Sequence, residues 1–288
     1  MISQPRSSAL KFGWLKNRFI IIGGIIILGI FIVAIFGPLF LSQEKAERMA
    51  LSKVLKPPFW MKGGQFRNPM GTDHMGRDVF SQVVYGARIS LSIGIASVLV
   101  AGLFGVTLGL LSGYFGRWMD ILIMRLVDLQ LSFPPILLAI VVIVLVGKGI
   151  MNLILVLGIV SWVQYARVVR SVTLSLKEKE FVEAARAAGT GQIAIIMKHI
   201  LPNLLSSVIV IAAVNVSTMI LAEAALSFLG LGVQPPTPSW GSMLYQGKEY
   251  FYVAWWMAVF PGIIIATMVF GINLFGDGLR DYLNPRRR

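Results

Sequence analysis

The chain has no cysteine, and only two of its 288 residues are histidine. A disulfide framework, a thiolate nucleophile and a thiolate-bound metal are thereby excluded. Charge is also scarce, at 14% of residues against about 25% in ordinary soluble domains. A G-x-x-x-x-G-K-[ST] phosphate loop is missing; Gly147-Lys148 lacks both the preceding glycine and the following hydroxyl. Any nucleotide must bind on another chain. Apolar residues fill the deficit: 56% of the chain is hydrophobic and the mean hydropathy is +0.78, so lipid is the expected solvent.

Uncharged length measures the organisation. Phe19 to Leu41 is 23 residues without a charge, roughly 34 Å of helix at about 1.5 Å per residue, enough to cross a hydrocarbon core of about 30 Å. A signal peptide would also follow basic residues such as Lys11, Lys16 and Arg18, but its apolar core is only about 7–15 residues, so an uncleaved anchor is expected. Further charge-poor runs extend over Ile89–Gly116, Leu129–Gly147, Gly149–Ala166, Leu201–Leu229 with Glu223 inside it, and Phe251–Gly276. The expected fold is an all-α polytopic membrane protein with six transmembrane helices and both termini cytoplasmic. Its expected divisions are a cytoplasmic segment (1–18), a first span (19–41), an external segment (42–88) and a core (89–288) containing a cytoplasmic region at 177–200.

The net charge of +13 suits nucleic acid when basic residues cluster on one stripe. Here they punctuate apolar runs, which fits cationic loops on the cytoplasmic side of a membrane and no nucleic-acid partner. With both ends inside, 16 of the 26 Lys and Arg residues are cytoplasmic, and eight of the others fall between Lys45 and Arg88. This sidedness puts His74 and His199 on opposite faces, so they cannot share a metal. No grouping of hydroxyl, imidazole and carboxylate, or of paired carboxylates, suggests catalysis.

Three features point to function. Ser97, Ala101, Gly105, Gly109 and Gly113 recur every four residues, a small-residue ladder that admits another helix at close range, either from this chain or from a second subunit. KEKEFVEAARAA, Lys177 to Ala188, puts Phe181, Ala184, Ala185 and Ala188 on one helical face, and Gly189 ends the helix. So short a helix is marginal alone and its alanine face would insert weakly into lipid, so a protein partner is expected. Glu223 is an ionisable group inside a span, which implies either a solute path or gate, or a hydrogen-bonded helix contact. Pro134 and Pro261 in or near spans suggest bends beside a cavity, and Pro235-Pro236-Thr237-Pro238 suggests a stiff external loop.

The run Glu183-Ala184-Ala185, Gly189, Leu201-Pro202 resembles the cytoplasmic signature loop of binding-protein-dependent ABC importer permeases. His199 stands where that loop commonly has an aliphatic residue, and KHILPN, Lys198 to Asn203, is similar to the peptide and nickel branch. Four other stretches resemble the same branch: Gly71–Gly94, Gly113–Pro134 with Asp120, Arg125 and Asp128, Leu226–Trp240, and Gly276–Arg286. Gln82 replaces a frequent arginine and Asn284 a more usual aspartate.

The resemblance implies a type I ABC importer permease, the C-type member of its pair, in a prokaryotic cytoplasmic membrane. It implies a second homologous permease, two ATP-binding subunits that hold ATP and Mg, and an external solute-binding protein. Phe181, Glu183, Ala184, Ala185, Gly189, Leu201 and Pro202 would then couple the chain to the ATPase. Dipeptides, oligopeptides or nickel are the implied cargoes. A self-contained secondary transporter is the alternative; it would need acids or broken helices in internal repeats, and Glu223 is the one clear acid inside a span.

Overall fold

A computed structural model describes residues 17–283. The basic residues at positions 6, 11 and 16 and the final Asn-Pro-Arg-Arg-Arg therefore lie outside the described residues, as does most of the expected 1–18 segment. Helix α1 (Arg18–Phe40) and the short α2 (Gln43–Glu47) lead through a 3-10 turn (Leu51–Lys53) to α3 (Val79–Phe115). Next come α4 (Arg117–Leu131), α5 (Pro135–Val146), α6 (Ile150–Lys177), α7 (Glu180–Ala187) and α8 (Gln192–Ile195). A π turn (Ile196–Ile200) joins α8 to α9 (Leu201–Phe228), followed by α10 (Trp240–Glu249) and α11 (Trp256–Leu283). Among the described residues there is no strand, only an isolated bridge between Thr72 and Asp78.

Among the described residues five helices are long and apolar enough to cross a membrane: α1, α3, α6, the run Gln192–Phe228, and α11; the α4–α5 pair passes the same test when its two arms are taken together, which brings the count to six. The short α7 lies at one end of the bundle, between α6 and α8. The residue 42–78 segment and α10 lie at the other.

Several expected boundaries differ; α6 continues past Ala166 to Lys177 and the fifth expected span starts at Gln192. The third run is not one helix from Leu129 to Gly147: α4 and α5 meet at a bend of 92°. Two successive prolines explain it, because Pro135 has no N–H for a continuing helix and Pro134 disfavours helical backbone at Phe133; the Ser132 N–H closes α4 on the Asp128 carbonyl. Helix α3 starts ten residues before Ile89, because Asp78 caps it by accepting the Ser81 N–H (2.8 Å). The last span starts at Trp256, after a turn over residues 251–255.

The core forms where α3 crosses α6 and α9, with Ile93, Ala101, Leu153, Leu157, Tyr165 and Met219 buried together. Large side chains on the opposite sides, such as Leu28 on α1, Leu103 on α3 and Leu145 on α5, are exposed. That pattern suits a bundle whose surroundings are apolar.

Candidate functional site

Helix α7 has one fully buried residue. Val182 is fully buried against Leu110, Val169, Ile195, Ile200 and Leu204. Three positions on, Ala185 packs at the edge of that cluster, half-buried. The free ridge is therefore Phe181, Ala184 and Ala188, with Glu183 exposed beside it. The Phe181 ring lies 6.4 Å from that of His199, which gives the unusual residue of the loop a neighbour. Gly189 adopts φ +76°, with open space around it, and the Thr190 N–H reaches back to the Ala185 carbonyl (3.1 Å). This is the left-handed closure that glycine supports without strain.

Leu201 and Pro202 sit at the π turn. The Leu201 N–H bonds to Ile196, five residues back. Pro202 has no N–H to donate, and the Asn203 amide donates instead to the His199 carbonyl (2.6 Å). Leu201 is half-buried and Pro202 exposed. The KHILPN run is thus a π-spaced joint between α8 and α9.

Glu223 is fully buried. Ser227 and Ser239 hydroxyls donate to its Oε1 (2.7 and 2.9 Å), and Ser90 donates to Oε2 (3.0 Å). Ser90 also accepts the Trp240 N–H (3.2 Å). The carboxyl thus ties α3 and α9 to the start of α10. Ser239 doubles as the α10 cap in a reciprocal box with Ser242.

The small-residue ladder faces α6 of this same chain. A Cβ on Gly105 would lie 2.4 Å from the Trp162 carbonyl oxygen, and one on Gly109 2.7 Å from that of Ala166. Ala101 and Ser97 are fully buried in line with them, and Gly113 meets Thr173. At the α7 end of this pair, Arg170 donates from Nε and a terminal nitrogen to both Asp120 oxygens (2.6 and 2.7 Å), joining α6 to α4.

The residue 42–78 segment is a polar cap. Arg77 and Asp73, both nearly inaccessible, pair at 2.6 Å, and Gln82 donates to the same Asp73 oxygen (2.9 Å). Arg77 also reaches Gln246 on α10. The Trp256 indole donates to the Thr72 carbonyl (3.0 Å). His74 stacks on Tyr250 at 5.1 Å. Among the described residues no group of three or more His, Asp or Glu could hold a metal.

Sequence reasoning identified Glu223 but not Ser90 or Ser239, which lie 133 and 16 residues away. It also missed Val182, the one large apolar residue of α7 besides Phe181 and the signal that could have revealed the buried anchor. The Asp73–Arg77 pair carried an i,i+4 spacing that was visible but unspecific.

The model of the binding-protein-dependent transport system inner membrane component matches residues 105–288. The chain belongs to this family. It is 44% identical, over 95% of its length and 88% of the other's, to a dipeptide transport system permease protein of Alkalihalophilus pseudofirmus. It is 46% identical, over 78% and 74%, to a glutathione transport system permease protein of Escherichia coli. A chain of the inward-facing MetNI methionine ABC transporter superposes with a TM-score of 0.56 at 22% identity, covering 70% of this permease and 97% of that chain. That likeness establishes the type I fold alone.

Proposed function

We propose that this permease is one of two membrane-spanning subunits of an ATP-driven importer of dipeptides or similar short peptides. It stands in a prokaryotic cytoplasmic membrane with the α7 end inside the cell. A second homologous permease completes the pathway, two ATP-binding subunits carry ATP and Mg, and an external binding protein delivers cargo near α10. The relatives named for dipeptide and glutathione transport support the cargo class. The observation that carries the coupling role is α7: one buried valine fixes it while Phe181, Glu183 and Ala184 stay uncovered.

Docking an ATPase cleft onto that ridge would let nucleotide-driven closure move α7, with Gly189 as its turn and Leu201-Pro202 as the joint into α9. Contacts that differ between the open and closed ATPase are what a coupled machine requires. Glu223 belongs to the gate in this reading, through its hold on α10.

The test is ATP-dependent uptake of labelled dialanine by proteoliposomes holding the full complex and its binding protein. Gly189→Val, which strains the left-handed turn by about 1–2 kcal/mol, and Glu183→Arg should leave assembly intact. Each is expected to lower uptake about tenfold or more while basal ATP hydrolysis continues. Wild-type uptake in both variants would refute the coupling role, and gradient-driven uptake without the ATPase would replace the importer with a secondary carrier.

A further inference from the structure

The residue 42–78 segment carries more positive charge than its own fold uses. It holds seven Lys and Arg residues against four Asp and Glu. Two of those acids are committed inside the cap: Asp73 pairs with Arg77, and Asp78 accepts from Ser81 and from the Asn68 amide (2.9 Å). Glu44 pairs with Arg48, four residues on. The surplus cations therefore gather at the end of the bundle away from α7, the end that the rule relating Lys and Arg to sidedness leaves poor in them.

Three of the cations converge. Arg48, Lys53 and Arg67 line a cavity of about 460 Å³ together with Ser42, Met49 and Asn68, a volume suited to a small polar group. The Lys53 ammonium and the Arg67 guanidinium form no hydrogen bond or ion pair with another described residue. Glu44 and Asp78 also line the cavity, but both are engaged as above, so the donors left over are cationic. Ser42 sets the depth of the mouth. It stands two residues beyond Phe40, the last residue of α1, whose side chain is 85% exposed. Leu28, Ile32, Ile35 and Leu39 are exposed along one face of that helix, which meets hydrocarbon in a membrane-spanning element. The cavity thus opens just past the end of an apolar face, at the level of lipid headgroups. Its surroundings match that level. Leu51 and Phe66 are exposed beside Lys53 and Arg67, Phe66 stacks on Phe59 (5.0 Å), and the Trp60 ring meets Phe260, one turn inside α11, edge-on at 6.0 Å. Aromatic and apolar side chains interleaved with cations favour the boundary between headgroups and acyl chains. An acidic patch on a water-soluble protein would answer the cations and leave Leu51, Phe66 and Phe40 uncovered; a lipid answers both.

We propose that this cavity binds the headgroup of one anionic phospholipid from the leaflet away from α7, with the phosphate held by Lys53, Arg67 and the free donors of Arg48, and the acyl chains lying along the exposed face of α1. A guanidinium carries five N–H donors, and the single bond from Arg48 to Glu44 leaves others for the phosphate. The inference goes beyond the importer reading and does not depend on the cargo.

The test holds the full chain, in its complex, in phosphatidylcholine nanodiscs containing a minor fraction of phosphatidylglycerol that carries a diazirine near the top of one acyl chain. After illumination, digestion and mass spectrometry, labelling within residues 39–68 should exceed that from phosphatidylcholine bearing the same diazirine at least about fivefold, the scale expected of two or three cations at a membrane surface. Lys53→Gln combined with Arg67→Gln should abolish the preference, and Lys53→Arg combined with Arg67→Lys should keep it. Lys56→Gln combined with Lys62→Gln, two exposed positions outside the cavity lining, should also keep it. Size-exclusion profiles of the variants establish that each complex is intact. Equal labelling by the two lipids would overturn the proposal, and so would equal loss with either pair of Gln substitutions, which would mean a diffuse cationic surface. Competition by glycerol phosphate would give the cavity to a soluble phosphate ester, and displacement of the label by the external binding protein would give it to that protein; either result overturns the lipid assignment. No transport is measured, so a failure of the importer reading would leave this result standing.

Discussion

Three serine hydroxyls converge on the Glu223 carboxylate, and changing the acid has unequal consequences. Glu223→Gln keeps an oxygen for Ser227 and Ser239 and offers its amide to Ser90, so stability should change by less than about 1 kcal/mol. Glu223→Leu strands the three hydroxyls in a dry site at about 1–3 kcal/mol for each left unpaired; thermal unfolding of the purified complex should show a Tm lower by at least about 4 °C. Equal midpoints for the two variants would show that α10 is held without the carboxyl. His74, in the polar cap, obeys a different rule. Burial holds its imidazole below the usual value, with Arg77 adding to the effect and Asp73 and Glu249 opposing it, and its Nδ1 has no acceptor. The unfolded cap therefore binds a proton that the folded one refuses, so stability is full above about pH 6.5 and declines as pH falls through that value. Protection factors for hydrogen exchange across residues 55–75, taken relative to the intrinsic rate at each pH, should fall between pH 7.5 and 5.5, and His74→Phe should flatten that dependence. Glu223 was legible because a charge inside an apolar run is conspicuous. Its serines were not, since small hydroxyls in spans carry no signal of their own and Ser90 meets the acid only through the folding of the whole chain.

At the scale of helices, close approach dominates. The α3–α6 contact leaves no room for a side chain at Gly105, where a Cβ would press on the Trp162 carbonyl. Gly102, one turn away, would give its Cβ an ordinary 3.8 Å contact with Tyr165. Gly105→Leu should thus cost about 1–3 kcal/mol or more in overpacking and reduce the yield of assembled complex several-fold, whereas Gly102→Ala should be tolerated; size-exclusion profiles of the purified complexes read the difference. The ladder itself was plain from its four-residue repeat, but the repeat says only that some helix comes near. Pro134 also pointed to a bend, without its neighbour Pro135 being weighed, yet counting uncharged residues merged the two arms into one span. The same counting placed the start of α3 at Ile89, because Arg77, Asp78 and Arg88 look like loop residues until Asp78 is seen to cap the helix and Arg77 to pair with Asp73.

Across the whole molecule, the helical fold and the family were readable from long apolar runs and five motifs in order, whereas the seat of α7 was not, because Val182 meets Leu110, Val169 and Leu204 only in the folded chain. What the assembled chain adds is mechanical continuity: α7 is pinned by Val182 onto the foot of the Gln192–Phe228 run, and the far end of that run is tied by Glu223 to α10. In the proposed coupling, a shift imposed on α7 reaches the opposite end chiefly through the seat of Val182. Val182→Asp would bury an unpaired charge, and since expelling a short surface helix from the body costs far less than retaining that charge, α7 should detach while the spans remain packed. The variant should still copurify with the ATPase through Phe181 and Ala184, hydrolyse ATP at close to the basal rate and lose at least about nine-tenths of dialanine uptake, with Val182→Ile close to wild type. If Val182→Asp transports normally, force does not travel through α7 into α9, and the family's division between an engine and a passive gate would need another linkage in this chain.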